Sequence, residues 1–473
     1  MDTSLQPPEY HALLKPSALE VFKIRHLPLT TVESRDAEGN PITRKEGEPY
    51  GTRPLLNSET MAYMHFPSLL LADGSPWRHG NLYLLSKISE SDNRTLVDSE
   101  TLRSIASELK HFINALNEAG LDYLTFPTRK LQRPTYFYKS RLKKLVEAGQ
   151  ITSNTEDKKL GCVFGFYSWL KNQHDFKPEH SLWDETTKII NYIDEKGFTH
   201  TKIIRKNSLR KPIRHASQTG LDGHISDGGK LRPHTKDEQT ALINCLINCK
   251  NTELLLMCVF ALVTGARLQT VLTLRKENIV THGEVNGRNI RLIVGPGTNI
   301  DTKGGKPLQL LVPDWLHKKL FVYINSPRYA SREAKASEDV RKGNYVFLTS
   351  DGNPFYMAKN DPAKASYLTP PTGDAMRQAV RRELQPLLNA SETPFDFRFH
   401  DLRATFGMNL VNDIWGRIDN KNDISFMQAI TAVQERMGHS KLITTLQYFN
   451  YKNQMHDIFH TCTSFDSYLQ EII

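Results

Sequence analysis

Apolar residues recur at steps of three and four along Leu102, Ile105, Leu109, Ile113 and Leu116. That is the period of a helix burying one stripe, and the spacing predicts a helix opening near Ser99. Similar patterning predicts helices over Tyr136–Glu147, Asp157–Asn172 and Trp183–Glu195, the last ending before Gly197. Phe164, Phe166, Tyr167 and Trp169 within Asp157–Asn172 read as core more readily than as a base-stacking face. Upstream, Glu33–Pro54 is rich in Gly, Pro and charge and reads as loop. The apolar runs Phe66–Leu71 and Leu82–Leu85 predict strands around a turn at Gly74-Ser75-Pro76.

The pattern changes at Lys202–Lys236, where nine Lys or Arg stand against two Asp and apolar periodicity is lost. This stretch reads as a connector able to lie along phosphates. Beyond it, Thr235 with Glu238 three residues later forms a capping-box signature. Helices are expected over 237–249 and 252–263, and strands over Asn289–Val294, Leu308–Val312 and Tyr345–Leu348. The first two strands flank the turn Thr302-Lys303-Gly304-Gly305-Lys306-Pro307, and 372–473 reads as mainly helical. The expected fold is therefore mainly α with a small β-sheet (α+β). The expected divisions are an N-terminal extension of unknown role at 1–95, a helical domain at 96–200, a basic linker at 201–232 and a further domain at 233–473.

Composition narrows this only modestly. Hydrophobic residues make up 39% and charged residues 24% of 473, ordinary for a folded soluble protein. The formal net charge of +9 favours a polyanionic partner without requiring one. Five cysteines in no CxxC spacing read as buried core thiols in a reducing compartment; Cys245 and Cys249 share a helix face but lack neighbouring ligands. The N-terminus lacks the basic and apolar regions of a secretory signal, and the longest apolar run, Leu254–Val263, is too short to span a bilayer. A cytoplasmic protein without membrane contact is expected. There is no P-loop (Gly228-Gly229-Lys230 lacks its flanking residues), no HExxH and no dense carboxylate cluster for two metals. No cofactor and no metal are expected.

Four local segments carry chemistry. Thr264-Gly265-Ala266-Arg267 sets an Arg just after a glycine helix break. The turn at 302–307 carries Lys303 and Lys306, and a lysine ammonium over a phosphate can serve as a general acid. In Phe399-His400-Asp401-Leu402-Arg403-Ala404-Thr405-Phe406, His400 and Arg403 are three apart and can share a helix face. In Gly438-His439-Ser440, followed by Thr444-Thr445-Leu446-Gln447-Tyr448, nine residues separate His439 from Tyr448. Each segment alone is commonplace. Their order (Arg, Lys, His-x-x-Arg, His, Tyr) resembles the catalytic domain of tyrosine recombinases, the phage integrase family, over roughly 233–455. The helical 96–200 region is similar to that family's core-binding domain. There are departures: the position three after Arg267, often acidic in the family, is Thr270, the gap from Arg267 to the lysine turn is longer than usual, and 326–344 and 411–430 read as insertions.

The physical logic agrees with the resemblance. Two guanidiniums, Arg267 and Arg403, can grip a phosphodiester's non-bridging oxygens and stabilise added charge in the transition state. Tyr448 is the expected nucleophile, with Tyr451 the second choice. A phenol with an ordinary pKa near 10 needs help losing its proton, and His400 is the expected base or its positioner. His439 is expected to bond the phosphate or assist. The resemblance implies a 3′-phosphotyrosine, with Lys303 protonating the leaving 5′-hydroxyl. It further implies site-specific recombination of double-stranded DNA, metal- and ATP-independent, for a mobile genetic element, by a homotetramer on two sites. The alternatives are a topoisomerase IB-like nicking-closing enzyme and a catalytically silent DNA-binding relative. The tail 453–473, with helical spacing at Ile458, Cys462, Phe465 and Leu469, is expected to dock in cis or on a neighbouring protomer.

Overall fold

A computed structural model describes residues 19–28, 62–89, 97–173, 176–193, 199–209, 223–280, 285–286, 289–419 and 425–453. The chain divides into two compact units, Met1–Ser217 and Gln218–Ile473. The tail expectation falls almost wholly on 454–473, outside the described residues.

The first unit contains β1 (Glu20–Pro28), β2 (Ala62–Leu70), α1 (Arg78–Ser89), α2 (Ser99–Glu118), α3 (Pro134–Glu147), α4 (Ser153–Leu170), β3 (Glu185–Ile193) and β4 (Thr199–Asn207). Helix α2 begins where its sequence says it should: the Asp98 side chain accepts the Glu100 N–H as cap. Its stripe Leu102, Leu109, Ile113 and Leu116 is fully buried. The aromatic residues Phe166 and Tyr167 of α4 are likewise core, with Tyr167 donating to the Tyr123 carbonyl at 2.8 Å. One core runs from Leu19 through Leu209, so residues on both sides of position 95 pack together.

Two local readings are corrected. Leu82–Leu85 lies inside α1, not in a strand. Trp77, Tyr83, Leu84 and Ile88 are buried while Leu82 and Leu85 face outward, a helical period visible only in a window wider than the apolar run. Trp183–Glu195 is not a helix either: β3 pairs antiparallel with β4, Thr187 opposite Arg205 and Ile190 opposite Lys202. Thr186, Thr187, Ile189, Ile190, Tyr192 and Ile193 are β-branched or aromatic, and their strand preference outweighs the helix-like spacing. Strand β4 also occupies the start of the stretch read as a connector.

The second unit opens with a two-pair hairpin, β5 (Ile225–Ser226) and β6 (Lys230–Leu231). Then follow α5 (Lys236–Asn248), α6 (Thr252–Thr264), α7 (Leu268–Leu272) and α8 (Glu277–Val280). The three-stranded sheet β7 (Val285–Asn286), β8 (Asn289–Val294) and β9 (Leu308–Pro313) is antiparallel in that order. Helices α9 (Asp314–Ile324), α10 (Pro327–Lys335) and α11 (Glu338–Lys342) come next. Helices α12 (Asp374–Ala379) and α13 (Gln385–Asn389) are joined by a π-helical turn. The chain then forms α14 (Asp401–Asp419), α15 (Phe426–Met437) and a last helix, α16, over 442–453. The expected capping box forms at Thr235 and Glu238. Tyr345–Leu348 makes single bridges to Arg275 and Pro354 rather than a strand. The architecture is mainly α with small antiparallel sheets. Helix α14 packs on α6 and α15, which brings three segments distant in sequence to one place.

Among the described residues no helix is long and apolar enough to cross a membrane.

Candidate active site

Helix α6 stops at Gly265, which takes a left-handed conformation (φ 69°). A Cβ there would also meet the Phe406 ring at 2.5 Å, so the position excludes any side chain on two counts. The break leaves Arg267 in an extended conformation immediately ahead of α7.

Arg403, in the first turn of α14, is buried. Its Nη1 donates to the Gly265 carbonyl and its Nη2 to the Met437 carbonyl, both at 2.7 Å. Those oxygens belong to the C-terminal ends of α6 and α15, where carbonyls lack helical partners and the helix dipole is negative. One guanidinium thus ties two helix ends together and keeps Nε for a third partner.

That partner is Asp227, at the tip of the β5–β6 hairpin. Arg403 Nε donates to Asp227 Oδ2 at 2.6 Å, and Arg267 Nη2 donates to Oδ1 at 3.1 Å. His439 follows the left-handed Gly438 at the end of α15, and its Nε2 lies 3.1 Å from Oδ2. His439 Nδ1 lies 3.0 Å from Thr445 Oγ1, which orients the ring. Tyr448 on α16 is fully buried, and its hydroxyl donates to Oδ2 at 3.2 Å. Two guanidiniums, an imidazole and a phenol therefore converge on one carboxylate.

The electrostatics follow. Burial alone would raise the Asp227 carboxyl pKa; the His439 hydrogen bond and the charges of Arg403, His439 and Arg267 outweigh it and hold the group well below the usual carboxylate range. Burial, reinforced by the Asp227 charge, pushes the Tyr448 phenol well above its ordinary value. Two guanidiniums against one carboxylate leave the pocket attractive to anions.

His400 sits in the turn before α14, outside the Asp227 cluster, with part of its surface open to solvent and part covered by the protein. Desolvation of its ring, then the charges of Arg267 and Arg403, lower its pKa from 6.5. Lys303 begins a short 3-10 turn between β8 and β9, closed by Thr302 Oγ1 donating to the Lys306 carbonyl at 2.6 Å. Its Nζ reaches the hairpin tip: a Cβ on Gly228 would lie 2.5 Å from it. Thr270 donates to the Asp301 carbonyl at 2.8 Å, so the residue standing where the family often has an acid braces the start of the lysine turn.

A family-wide profile, that of the phage integrase family, matches residues 234–455. No curated protein matches the chain. Among solved structures it is similar to the XerH site-specific recombinase bound to palindromic difH substrate (13% identity, TM-score 0.45, covering 81% of this chain and 94% of that one). It is also similar to the Tn1549 transposon integrase with circular intermediate DNA (14%, 0.42, 78% and 94%). A third is a lambda integrase dimer bound to a COC′ core site (13%, 0.41, 78% and 94%).

Of the six residues expected from sequence, the second unit gathers Arg267, Arg403, His439 and Tyr448 on one carboxylate and sets Lys303 on the adjoining turn, with His400 flanking. Tyr451 is not part of the cluster. Sequence reasoning missed Asp227, Thr445, Asp401 and Thr405. Asp401 accepts the Arg232 N–H at 3.0 Å and Thr405 accepts the His234 N–H at 2.9 Å, so the motif that supplies His400 and Arg403 also fastens the incoming chain. Asp227-Gly228-Gly229 between Ile225 and Leu231 is a hairpin signal, and Asp-Gly was the available clue.

Proposed function

We propose that this protein cuts and rejoins double-stranded DNA through a covalent bond to Tyr448, as a site-specific recombinase of a mobile genetic element. The observation that carries the reading is the convergence of Arg267, Arg403, His439 and the Tyr448 hydroxyl on a single anionic group. A pocket built to hold one carboxylate between two guanidiniums suits a phosphodiester, which presents two anionic oxygens in the same way.

In this reading Arg267 and Arg403 hold the non-bridging oxygens, with His439 as a further donor. Tyr448 Oη attacks phosphorus, His400 takes its proton, and Lys303 protonates the departing 5′-oxygen. The new phosphotyrosine conserves the energy of the broken linkage, so a second 5′-hydroxyl can displace it without ATP. The helices within 96–200 would also bind the duplex, with 201–232 as connector, and four copies would act on two sites.

The test is denaturant-resistant DNA attachment, using nicked duplexes that tile the DNA flanking the protein's own gene. The wild type should form an adduct; Tyr448→Phe should form none while still binding DNA. An adduct that survives in Tyr448→Phe would overturn the assignment. Two matched sites on one plasmid should yield exchanged products. Relaxation of supercoils alone would favour the nicking-closing alternative.

A further inference from the structure

Asp227 occupies the position that the proposed reaction requires for phosphate. We propose that the β5–β6 hairpin is a built-in plug: its carboxylate stands in for the phosphodiester in the DNA-free protein and has to leave when DNA enters. This inference rests on the DNA-cleavage reading above.

The geometry favours a plug over a catalytic base. Oδ2 already accepts from Arg403 Nε at 2.6 Å and from His439 Nε2 at 3.1 Å. Those two bonds are shorter than the 3.2 Å contact from the Tyr448 hydroxyl to the same oxygen, and they hold Oδ2 as an ionised acceptor fixed among cations rather than as a base free to carry the proton away. Oδ1 is engaged by Arg267. A phosphate between the same two guanidiniums would put its oxygens against a carboxylate of like charge, so the two anions exclude each other.

The hairpin is built to be fixed at its base and released at its tip. Ile225 and Leu231 are buried, Ser226 N donates to Gln447 Oε1 at 3.0 Å, and Arg398 Nη2 donates to the Lys230 carbonyl at 3.0 Å. Only two residue pairs join the strands. The tip, Asp227-Gly228-Gly229, is held by Arg267, Arg403, His439 and Tyr448, with Lys303 against Gly228. Apart from the Tyr448 phenol these are cations or cation-forming groups that bind phosphate well. Incoming DNA thus competes for the groups that keep the tip in place. Gly228, at φ 75° and under Lys303, permits a tip that tight.

Three measurements on the full chain decide this. With nicked duplex DNA, Asp227→Asn and Asp227→Ala should form the covalent adduct about tenfold faster than wild type, because the competing anion is weakened or gone. Inorganic phosphate should raise the melting temperature of Asp227→Ala and leave that of the wild type unchanged. In the wild type, hydrogen exchange of the amides in 226–230 should accelerate when duplex DNA binds. The last needs no variant and decides the matter even if both substitutions fail to fold. Slower adduct formation by Asp227→Asn with DNA binding retained would make Asp227 part of the catalytic machinery and overturn the plug. So would 226–230 remaining equally protected with DNA bound. If no variant forms an adduct but phosphate stabilises Asp227→Ala alone, the cleavage reading fails and the plug stands.

Discussion

The ring of Tyr448 lies where a side chain at position 407 would be: a Cβ on Gly407 would overlap Cε1 and come within 2.8 Å of Cδ1. Gly407 is on α14, one turn beyond Arg403, so the helix that supplies a guanidinium also leaves the hollow that seats the phenol. Gly407→Ala should destabilise the second unit by roughly 1–3 kcal/mol, the usual cost of overpacking a tight core. It should also slow adduct formation while DNA affinity holds. Urea titration and a single-turnover adduct assay check the two effects.

Arg403→Lys is not conservative here. An ammonium cannot reach Asp227 and two helix-end carbonyls in one plane. The substitution should lower the adduct rate on the order of 100- to 1000-fold. It should also cost about 3–5 kcal/mol of stability, because a buried carboxylate loses its best partner. Adding Asp227→Ala should recover part of that stability but not the rate. A double-mutant cycle read by urea melts tests the coupling.

The depressed His400 pKa sets a pH dependence. Desolvation, then Arg267 and Arg403, disfavour the imidazolium, so the neutral ring that the proposed mechanism uses as base predominates at neutral pH. Adduct formation should rise with pH along a limb centred below about pH 6.5 and then level off. His400→Gln should be slow and lack that limb. A single-turnover rate profile from about pH 5 to about pH 8 distinguishes the outcomes.

Glu253, fully buried at the start of α6, accepts a bidentate pair from Arg328 at 2.8 and 2.7 Å, and Arg332 at 2.9 Å. Burial would raise its pKa; the Arg328 hydrogen bond and the Arg332 and Arg328 charges bring it below the ordinary value. A group depressed in the folded state stabilises it above the unfolded pKa, about 4.3, and loses that contribution as pH falls through the lower folded value. Thermal melts should therefore show a loss of stability on acidification through this range. Glu253→Gln should be less stable at neutral pH and lose less on acidification. An unchanged slope in the variant would assign the acid sensitivity elsewhere.

What the sequence conveyed depended on distance along the chain. Leu102–Leu116 and Asn289–Val294 carry their periods within themselves and were legible. That Arg267, Arg403, His439 and Tyr448 would come together was legible because their local motifs keep a familiar order. Asp227 was not, because its partners lie 40 to 221 positions away and its own neighbourhood reads as basic connector. The β3–β4 hairpin was missed because short isoleucine-rich runs satisfy both periods, and only pairing decides between them. The work of Arg403 on two helix ends was invisible for another reason: it involves backbone carbonyls, which no residue type announces.

Gln447 and Tyr448 are adjacent on α16, and they hold adjacent parts of one turn: Gln447 the Ser226 amide, Tyr448 the Asp227 carboxylate. Under the proposed cleavage and plug, the hairpin would therefore act as a casting mould for the nucleophile. While no DNA is present, the phenol cures in position around a negative charge of the right sign and reach. When the mould is withdrawn, little of the ordering entropy that usually opposes attack remains to be spent.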